Sequence, residues 1–385
     1  MNKIYIFGAG INGKALLRLF DKLEIENVVA FIDNSIEKQG MEIEGKRCIS
    51  MSEAIDMGGQ DELVIVSVAK YEEIEEQLKK ANFKNIFSWS RIFLQAAYSI
   101  PNVLKSSDYR DVHPFNHYES PYPDIVKIHE KEKEIFDYSK EVLDIDFNIS
   151  EQLQMVKRME QLSLPQWSYN ECGDKYRYSY HNDWFGKGSA DALCYMIQIL
   201  KPDNIIEVGS GHSTAVMLDT NENYFDNRIN IVSIEPRADR LKSLLKPTDN
   251  LDIIESDVQD VSVDFFERLK ENDILFIDSS HVSKISADVN YILFEIFPRL
   301  KKGVYIHFHD MFYPFIYPKE WIYEGRAYNE MYLIRAFLMN NKNYSIQLFG
   351  GMLEEKYLDK IVNQLWGVGS GSLWIKKEEA SGTNG

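Results

Sequence analysis

The chain has 385 residues, which at ~150 residues per domain gives two or three domains, and 44% of them are hydrophobic, enough to form cores. The formal net charge of −17 argues against a general nucleic-acid binder or a binder of anionic membranes. The three cysteines, Cys48, Cys172 and Cys194, have no metal-type spacing, and no run approaches the ~18 apolar residues of a membrane span. We therefore expect a reduced, cytoplasmic protein without a membrane span or a secretory signal.

The first part of the chain, residues 1–95, alternates short β-branched runs with helical patterns. Strands are predicted at Ile4 to Phe7, Val28 to Ile32 and Leu63 to Val68, and helices at Lys14 to Leu23 and Tyr71 to Ala81. This β-α-β series predicts a small, doubly wound, Rossmann-like domain.

A glycine loop, Gly8-Ala9-Gly10-Ile11-Asn12-Gly13, follows the first of these strands and precedes a helix, and Asp33 ends the next strand. Gly8, Gly10, Gly13 and Asp33 match the pattern in which a helix start binds phosphate and a carboxylate binds ribose hydroxyls. Only half of a dinucleotide-binding fold is present, however. We expect either a nucleotide or nucleotide-sugar site here, or glycines needed only for the turn and for helix packing.

The second part, residues 96–165, is predicted to be a helical and loop connector and cap. One helix is expected over 124–145, with Ile125, Ile128, Ile135 and Val142 on one side, and a second over 151–162. The charged run at 129–134 is interpreted as a solvated helix face.

The third part, residues 166–376, returns to alternating strands and helices and predicts a second doubly wound domain, before a polar tail at 377–385 that we expect to be disordered. Its seven predicted strands are Ile205 to Val208, Ile229 to Ile234, Leu251 to Glu255, Ile274 to Ile277, Val304 to Phe308, Tyr344 to Leu348 and Ser372 to Ile375.

A second glycine loop follows the first of these seven strands, in the sequence Glu207-Val208-Gly209-Ser210-Gly211. Gly209 and Gly211 let the backbone approach a nucleoside and an amino-acid chain, and Glu207 is suited to an ammonium group, directly or through water. At the ends of the next two strands, Glu235 is suited to ribose hydroxyls and Asp257 to an adenine amino group.

Four segments carry a family resemblance: EVGSGHST (207–214), SIEP (233–236), ESD (255–257) and LFIDSSH (275–281). In this order, at strand ends, they resemble the nucleoside-binding motifs of class I S-adenosylmethionine-dependent methyltransferases, and in particular the small-molecule and sugar methyltransferases. The resemblance covers residues 165–376 and also the upstream YESPYPD (118–124). Separately, the N-terminal segment resembles the small nucleotide-binding domain of some sugar-modifying acyltransferases.

The resemblance implies a seven-stranded methyltransferase sheet and S-adenosylmethionine as cofactor. The expected cofactor-binding residues are Glu207, Gly209, Ser210, Gly211, Glu235, Asp257 and Asp278.

Methyl transfer requires removal of a proton from the acceptor, so a base is expected at the ends of the central strands. His281, His309 and Asp310 are the catalytic candidates. In one mechanism a histidine with a pKa near neutrality accepts the proton and is oriented by Asp310 or Asp278. In the other, Asp278 and Asp310 hold a divalent cation, and the mixed histidine and carboxylate set would favour a transition metal over magnesium.

Two aromatic segments are candidates for the acceptor pocket, although each is also explained by packing. They are Tyr176, Tyr178, Tyr180, Trp184 and Phe185, and the loop from Met311 to Phe315 with Trp321, Tyr323 and Arg326.

The leading functional hypothesis is O-methylation of a sugar, sugar nucleotide or glycan precursor. One alternative is an NAD-dependent oxidoreductase that uses the loop from Gly8 to Gly13, and another is a non-catalytic nucleotide-sensing scaffold. The expected partner is a small-molecule or glycan acceptor, and a homo-oligomer is compatible with the sequence.

Overall fold

The computed structural model describes residues 3–22, 25, 27–68, 71–88, 121–169, 175–249, 251–358, 361 and 371–378. The predicted disordered tail at 377–385 is wrong at its start, because Lys377 ends the last strand of the chain, Leu373–Lys377, while 379–385 and Cys172 lie outside the described residues. The chain divides into two compact units, residues 1–124 and 125–385. Residues 125–165 of the predicted connector therefore belong to the C-terminal unit.

The N-terminal unit contains a six-stranded sheet in the order β3-β4-β2-β1-β5-β6, in which β3 is antiparallel to β4 and the other pairs are parallel. Its strands are β1 (Ile4–Phe7), β2 (Val28–Ile32), β3 (Glu42–Ile43), β4 (Lys46–Ile49), β5 (Leu63–Val66) and β6 (Asn85–Ser88). Its helices are α1 (Ile11–Lys22), α2 (Met51–Asp56) and α3 (Tyr71–Lys80), with a 3-10 turn at Gly59–Asp61.

Both faces of this sheet are covered, as predicted for a doubly wound fold. Tyr5 and Phe7 of β1 belong to the core on one face, and Ile4 and Ile6 belong to the core on the other. Sequence analysis missed the hairpin of β3 and β4, whose strands are short and rich in charged residues. Its two-residue turn, Glu44-Gly45, has both φ angles in the left-handed region, 50° and 75°.

The C-terminal unit contains a seven-stranded sheet in the order β12-β13-β11-β10-β7-β8-β9, and β13 is antiparallel to both of its neighbours. The strands are β7 (Asn204–Val208), β8 (Asn230–Ile234), β9 (Asp252–Ile254), β10 (Ile274–Ile277), β11 (Tyr305–Phe308), β12 (Tyr344–Phe349) and β13 (Leu373–Lys377). All seven strands predicted in this region are present.

The helices of this unit precede the sheet or connect its strands. They are α4 (Ile125–Glu130), α5 (Glu132–Ile135), α6 (Ile149–Met159), α7 (Lys187–Leu200), α8 (His212–Phe225), α9 (Asp239–Leu244), α10 (Asp288–Tyr291), α11 (Lys319–Tyr323), α12 (Glu330–Leu338) and α13 (Gly350–Tyr357). A π-helical turn, Ile292–Ile296, continues α10, and 3-10 turns lie at Val258–Asp260, Val263–Arg268 and Phe297–Arg299.

The single helix predicted over 124–145 is wrong. The structure has the two short helices α4 and α5 instead, and Ile125 and Ile135 remain 37% and 36% exposed. The Asp137 side chain accepts hydrogen bonds from the backbone N–H and the hydroxyl of Ser139, which stabilises a turn in place of a further helical turn. The charged run is also not wholly solvated, because Glu132 accepts a hydrogen bond from Tyr323 (2.7 Å) and pairs with Lys319 (3.3 Å).

Helix α6 covers the edge strand β12. The Asn148 side-chain amide donates to the carbonyl of Ile346 (3.0 Å), and the Gln152 side-chain carbonyl accepts from the backbone N–H of Phe349 (2.7 Å). These two side chains satisfy backbone groups at the outer edge of β12, so the sheet does not present them to another strand. No helix among the described residues is both long and apolar enough to cross a bilayer.

The parallel strands β7, β10 and β11 lie side by side at the centre of the sheet. Their last residues, Val208, Ile277 and Phe308, are paired in register. The residues that follow them therefore emerge next to one another at the carboxyl edge, which is where open α/β sheets bind ligands.

Candidate active site

The loop after β7 lies directly against the end of β10. A Cβ atom added at Gly209 would come within 1.9 Å of the carbonyl oxygen of Asp278, and Gly209 has a φ of 79°, so the position requires glycine. The backbone N–H of Asp278 donates to the carbonyl of Val208 (2.8 Å). The cofactor loop predicted from the sequence and the start of the predicted reaction centre are therefore adjacent.

Glu207 requires a correction. Its carboxylate is fully buried and accepts hydrogen bonds from the hydroxyls of Ser213 (2.6 Å), Thr214 (2.5 Å) and Ser233 (2.8 Å). Burial raises the pKa of Glu207 to about 7, although the three hydroxyls lower it. The carboxylate is thus enclosed beneath the loop, where it stabilises the start of α8, and it does not reach a ligand ammonium group directly.

Ser210 and Glu235 are brought together as predicted for a nucleoside site. The Glu235 carboxylate accepts the backbone N–H of Ser210 (3.2 Å) and that of Arg237 (2.8 Å) and stays partly exposed. Asp257 is exposed at the end of β9 and does not cap the turn that follows it. The hydroxyl oxygen of Ser210 and Nδ1 of His212 are buried without a hydrogen-bond partner, so each lacks a polar group that a ligand would supply.

The four predicted reaction-centre residues form one cluster. Nε2 of His281 lies 3.5 Å from Oδ1 of Asp278 and 3.4 Å from Oδ2 of Asp310. Nδ1 of His309 lies 3.5 Å from the same Oδ1 of Asp278 and 3.4 Å from Oδ1 of Asp310. Both imidazoles are buried, 7% and 6% exposed, while the two aspartates are partly accessible.

The expectation of a histidine pKa near neutrality is wrong for this arrangement. Burial lowers the pKa of His281, but the hydrogen bonds and charges of Asp278 and Glu330 outweigh it and hold the pKa well above its usual value. Burial also lowers the pKa of His309, but the charges of Asp310 and Asp278 outweigh this effect and raise the pKa to about 9. These contacts favour the charged form of both rings. In turn, the two imidazoles overcome burial and hold the pKa of Asp278 well below its usual value.

Sequence analysis missed Glu330, which contacts the cluster from the first turn of α12. Its side chain is 2% exposed, accepts the hydroxyl of Ser279 (2.8 Å), and lies 2.9 Å from Nδ1 of His281. The backbone N–H groups of Asn329 (3.0 Å) and Glu330 (3.1 Å) both donate to the carbonyl of His281. A carboxylate at a helix start is so common on protein surfaces that the sequence offered no signal for this role.

Asp278 and Asp310 are the predicted metal ligands, and in the structure His309 joins them in one group of potential ligands. Each offers one ligand atom, and these atoms all lie within 4.8 Å of one another. Nδ1 of His309 makes no hydrogen bond of regular geometry, but it lies 3.4 and 3.5 Å from carboxylate oxygens of Asp310 and Asp278, which are its ionic partners. The ring must be neutral to bind a metal, however, so an ion would have to displace a proton that the two carboxylates hold firmly.

The first aromatic segment is mainly packing. Tyr178 and Phe185 are 1% and 2% exposed, and the Tyr178 hydroxyl donates to the carbonyl of Phe185 (2.6 Å). The centres of the Phe185 ring and the His309 imidazole lie 5.0 Å apart, so Phe185 packs directly against the cluster. Trp184 is different, because it remains 63% exposed.

The second aromatic segment is linked to the other histidine through Tyr328, a residue that was not predicted. Tyr328 packs 5.0 Å from His281 and contacts Trp321 edge to face at 5.8 Å. Arg326 stacks on Trp321 at 4.5 Å and pairs with Glu324 at 2.8 Å, which leaves the guanidinium partly neutralised. The predicted anion-binding role of Arg326 thus competes with an existing ion pair.

In the N-terminal unit, Gly8 and Gly13 of the first loop have packing roles, whereas a Cβ at Gly10 would meet no atom within 4 Å. A Cβ at Gly13 would lie 1.9 Å from the carbonyl oxygen of Gly8, and a Cβ at Gly8 would lie 2.6 Å from Val68. Asp33 is 8% exposed, and its carboxylate accepts the N–H groups of Ala9 (2.8 Å) and Ser35 (2.9 Å) and the ammonium of Lys38 (3.1 Å). Asp33 therefore fastens the loop to β2, and its oxygens are not free for ribose hydroxyls.

Two family models match separate parts of the chain. Residues 206–311 match the family model described as a methyltransferase domain, and residues 1–86 match the model described as C2185-like, N-terminal. An uncharacterized protein of Archaeoglobus fulgidus is 35% identical over 171 residues, which cover 42% of this chain and 75% of the relative.

Two solved structures show weaker likeness. The Podospora anserina methyltransferase PaMTH1 bound to S-adenosylhomocysteine (SAH) has a TM-score of 0.34 and 14% identity, over 70% of this chain and 100% of that one. The plantazolicin methyltransferase BpumL in complex with SAH has a TM-score of 0.33 and 12% identity, over 80% and 100% of the respective chains. TM-scores below 0.5 support no assignment.

Residues 206–311, which match the methyltransferase domain model, contain the four ordered motifs and the residues that follow the central strands of the seven-stranded sheet. The chain belongs to the same family as the Archaeoglobus fulgidus protein.

Proposed function

We propose that this protein transfers a methyl group from S-adenosylmethionine to a hydroxyl of a small-molecule acceptor, which is a sugar, a sugar nucleotide or a glycan precursor. The observation that supports this best is the cluster of His281, His309, Asp278 and Asp310, with nitrogen to oxygen distances of 3.4 and 3.5 Å, directly beside the loop of Gly209. A hydroxyl acceptor must lose its proton, and this cluster supplies the groups that exchange protons.

Four residues around the glycine loop are suited to hold the cofactor. The partly exposed carboxylate of Glu235 is suited to ribose and the exposed Asp257 to adenine. The unpartnered polar atoms of Ser210 and His212 would gain hydrogen bonds from a ligand in the loop. When bound, S-adenosylmethionine supplies an electrophilic methyl group on a sulfonium.

In this mechanism His281 and His309 carry the proton of the acceptor, and Asp278 and Asp310 orient them. Because the pKa of both imidazoles is raised, one of them must lose its proton before it can accept another. The buried Phe185 and the surrounding carboxylates keep both rings in place against the site. These residues provide orientation as well as proton transfer.

The competing mechanism uses a divalent cation at Asp278, His309 and Asp310. Its support is the convergence of three ligand atoms within 4.8 Å. Such an ion would lower the pKa of the acceptor hydroxyl in place of a histidine base, and its mixed nitrogen and oxygen ligands suit a transition metal.

For the N-terminal unit, we propose binding of the nucleotide part of a sugar nucleotide, or a role in assembly. The carboxylate of Asp33 is already engaged by Ala9, Ser35 and Lys38, so a nucleotide bound here would lack the ribose contact of the dinucleotide pattern, and a role as an NAD-dependent oxidoreductase is not favoured.

Calorimetry of the full chain with SAH, NAD and UDP tests the proposal. We expect SAH to bind, and Glu235→Ala to weaken this binding roughly 10-fold through loss of charged hydrogen bonds. Asp252→Asn, an exposed position on β9, is the matched control and should change nothing. A wild-type chain that does not bind SAH would overturn the proposal. A screen of sugar nucleotides, read by mass spectrometry for a methyl gain, then identifies the acceptor.

A further inference from the structure

Arg240, near the start of α9, passes beside the glycine loop of the methyltransferase domain. A Cβ atom added at Gly211 would lie 3.4 Å from Cδ of Arg240. The guanidinium carbon lies 4.2 Å from the centre of the Trp184 ring. Within the described part of the chain, no carboxylate oxygen lies within ion-pair distance of this guanidinium. The loop therefore has an uncompensated positive charge next to it.

The backbone at Trp184 is fixed by hydrogen bonds, and the residue is 63% exposed. The backbone N–H groups of Trp184 (3.0 Å) and Phe185 (2.7 Å) both donate to the side-chain carbonyl of Asn182. A large exposed aromatic ring fixed against an arginine covers one face of the guanidinium and leaves its N–H edge free. That edge matches a planar anion such as a carboxylate.

Near the glycine loop, the accessible carboxylates of Glu235 and Asp257 would repel such an anion, whereas the charge of Asp278 is balanced by His281 and His309. Glu235 and Asp257 follow the neighbouring strands β8 and β9, and Asp278 follows β10, which lies on the other side of β7. An amino-acid ligand brings both an ammonium group, which suits these acids, and a carboxylate, which does not. His212 gives no compensating charge, because burial and the nearby Arg240 both lower its pKa.

We infer that Arg240, held by its stack on Trp184, binds the carboxylate at the amino-acid end of the cofactor. The N-terminus of α8, which begins at His212, adds a partial positive charge on the same side of the loop. The inference rests on the proposed function, since it assumes that a cofactor with an amino-acid end occupies this crevice.

The test compares two ligands that differ in the amino-acid end alone. SAH carries the ammonium and carboxylate groups, whereas 5′-methylthioadenosine has the same adenosine and a thioether without them. Calorimetry of the full-length wild type, Arg240→Ala, Arg240→Lys and Trp184→Ala with both ligands measures each contribution. Lys242→Ala is the matched control, because Lys242 lies on the same helix and pairs with Glu255 at 2.6 Å.

We expect Arg240→Ala to weaken SAH binding roughly 10-fold or more and to change methylthioadenosine binding less than about twofold. Arg240→Lys should lose less, since the charge is kept, and Trp184→Ala should weaken SAH selectively by roughly threefold. Unchanged SAH affinity in Arg240→Ala, or equal losses for both ligands, would overturn the inference. A wild-type chain that binds neither ligand would instead overturn the proposed function.

Discussion

Oε2 of Glu330 lies 2.9 Å from Nδ1 of His281, and both side chains are buried. This contact joins the loop after β10 to the first turn of α12, and it leaves Nε2 of the imidazole directed at Asp278 and Asp310.

Replacing Glu330 should destabilise the protein and disturb the position of the His281 ring. Glu330→Ala leaves a buried imidazolium without one partner, and we expect a loss of about 3 kcal/mol in the free energy of unfolding. Glu330→Gln keeps an acceptor oxygen and should lose less. Chemical denaturation measures both, with the exposed Glu320→Gln as control. NMR of the imidazole nitrogens should show an altered His281 in Glu330→Ala, and an unaltered ring would refute the positioning role.

Glu207 should make stability depend on pH. Its pKa is raised from 4.5 to about 7 in the folded chain. The folded state therefore binds this proton more tightly than the unfolded state does, so its contribution is complete below pH 4.5 and is lost as the pH rises to 7. The predicted loss is about 3 kcal/mol.

Glu207→Gln should abolish that part of the slope, whereas the exposed Glu267→Gln should retain it. Urea unfolding at several pH values provides the comparison. Identical slopes in the wild type and Glu207→Gln would contradict the raised pKa.

The two histidines should affect turnover more than cofactor binding. His281→Ala and His309→Ala should each reduce methyl transfer roughly 100-fold, while SAH affinity changes less than about twofold. The wild-type rate should increase with pH up to about 9, because His309 is protonated below that value. Unchanged rates in both variants would exclude the histidines as proton acceptors.

Metal dependence can be tested separately. We expect neither Mg²⁺ nor Mn²⁺ to bind tightly at Asp278, His309 and Asp310, because the imidazolium charges already compensate these carboxylates. Methyl transfer should then continue in the presence of EDTA. Stoichiometric Mn²⁺ binding that is lost in Asp310→Asn, together with EDTA inhibition that Mn²⁺ reverses, would establish the metal mechanism instead.

Asp33 should contribute to stability in the N-terminal unit. Burial raises its pKa, but hydrogen bonds from Ala9, Ser35 and Lys38 outweigh that effect and lower it. Asp33→Ala should cost about 2 kcal/mol through loss of these bonds, seen as faster amide exchange in β1 and β2. Loss of UDP binding without faster exchange would instead indicate a ribose contact.

Much of the site can be predicted from the positions of its residues directly after the predicted strands. Short apolar runs predict the strands, and residues that follow parallel strands must gather at one edge. For this reason Gly209, Asp278 and His309 were predicted to meet, and they do. The failed helix over 124–145 shows the limit of this approach, since its periodic apolar residues do not form one buried face. Ile125 and Ile135 stay exposed, whereas Val142, beyond the local turn, joins the core.

The sequence by itself determined two α/β units, their strand positions and the group of acidic and histidine residues at the crevice. Only the tertiary structure decided what those residues do to one another. Glu207 is a buried structural residue, because three hydroxyls from α8 and β8 enclose its carboxylate. Glu330 joined the cluster from 49 positions along the chain from His281. Protonation and accessibility depend on distances of a few ångströms between distant segments, and those distances arise only when the chain packs.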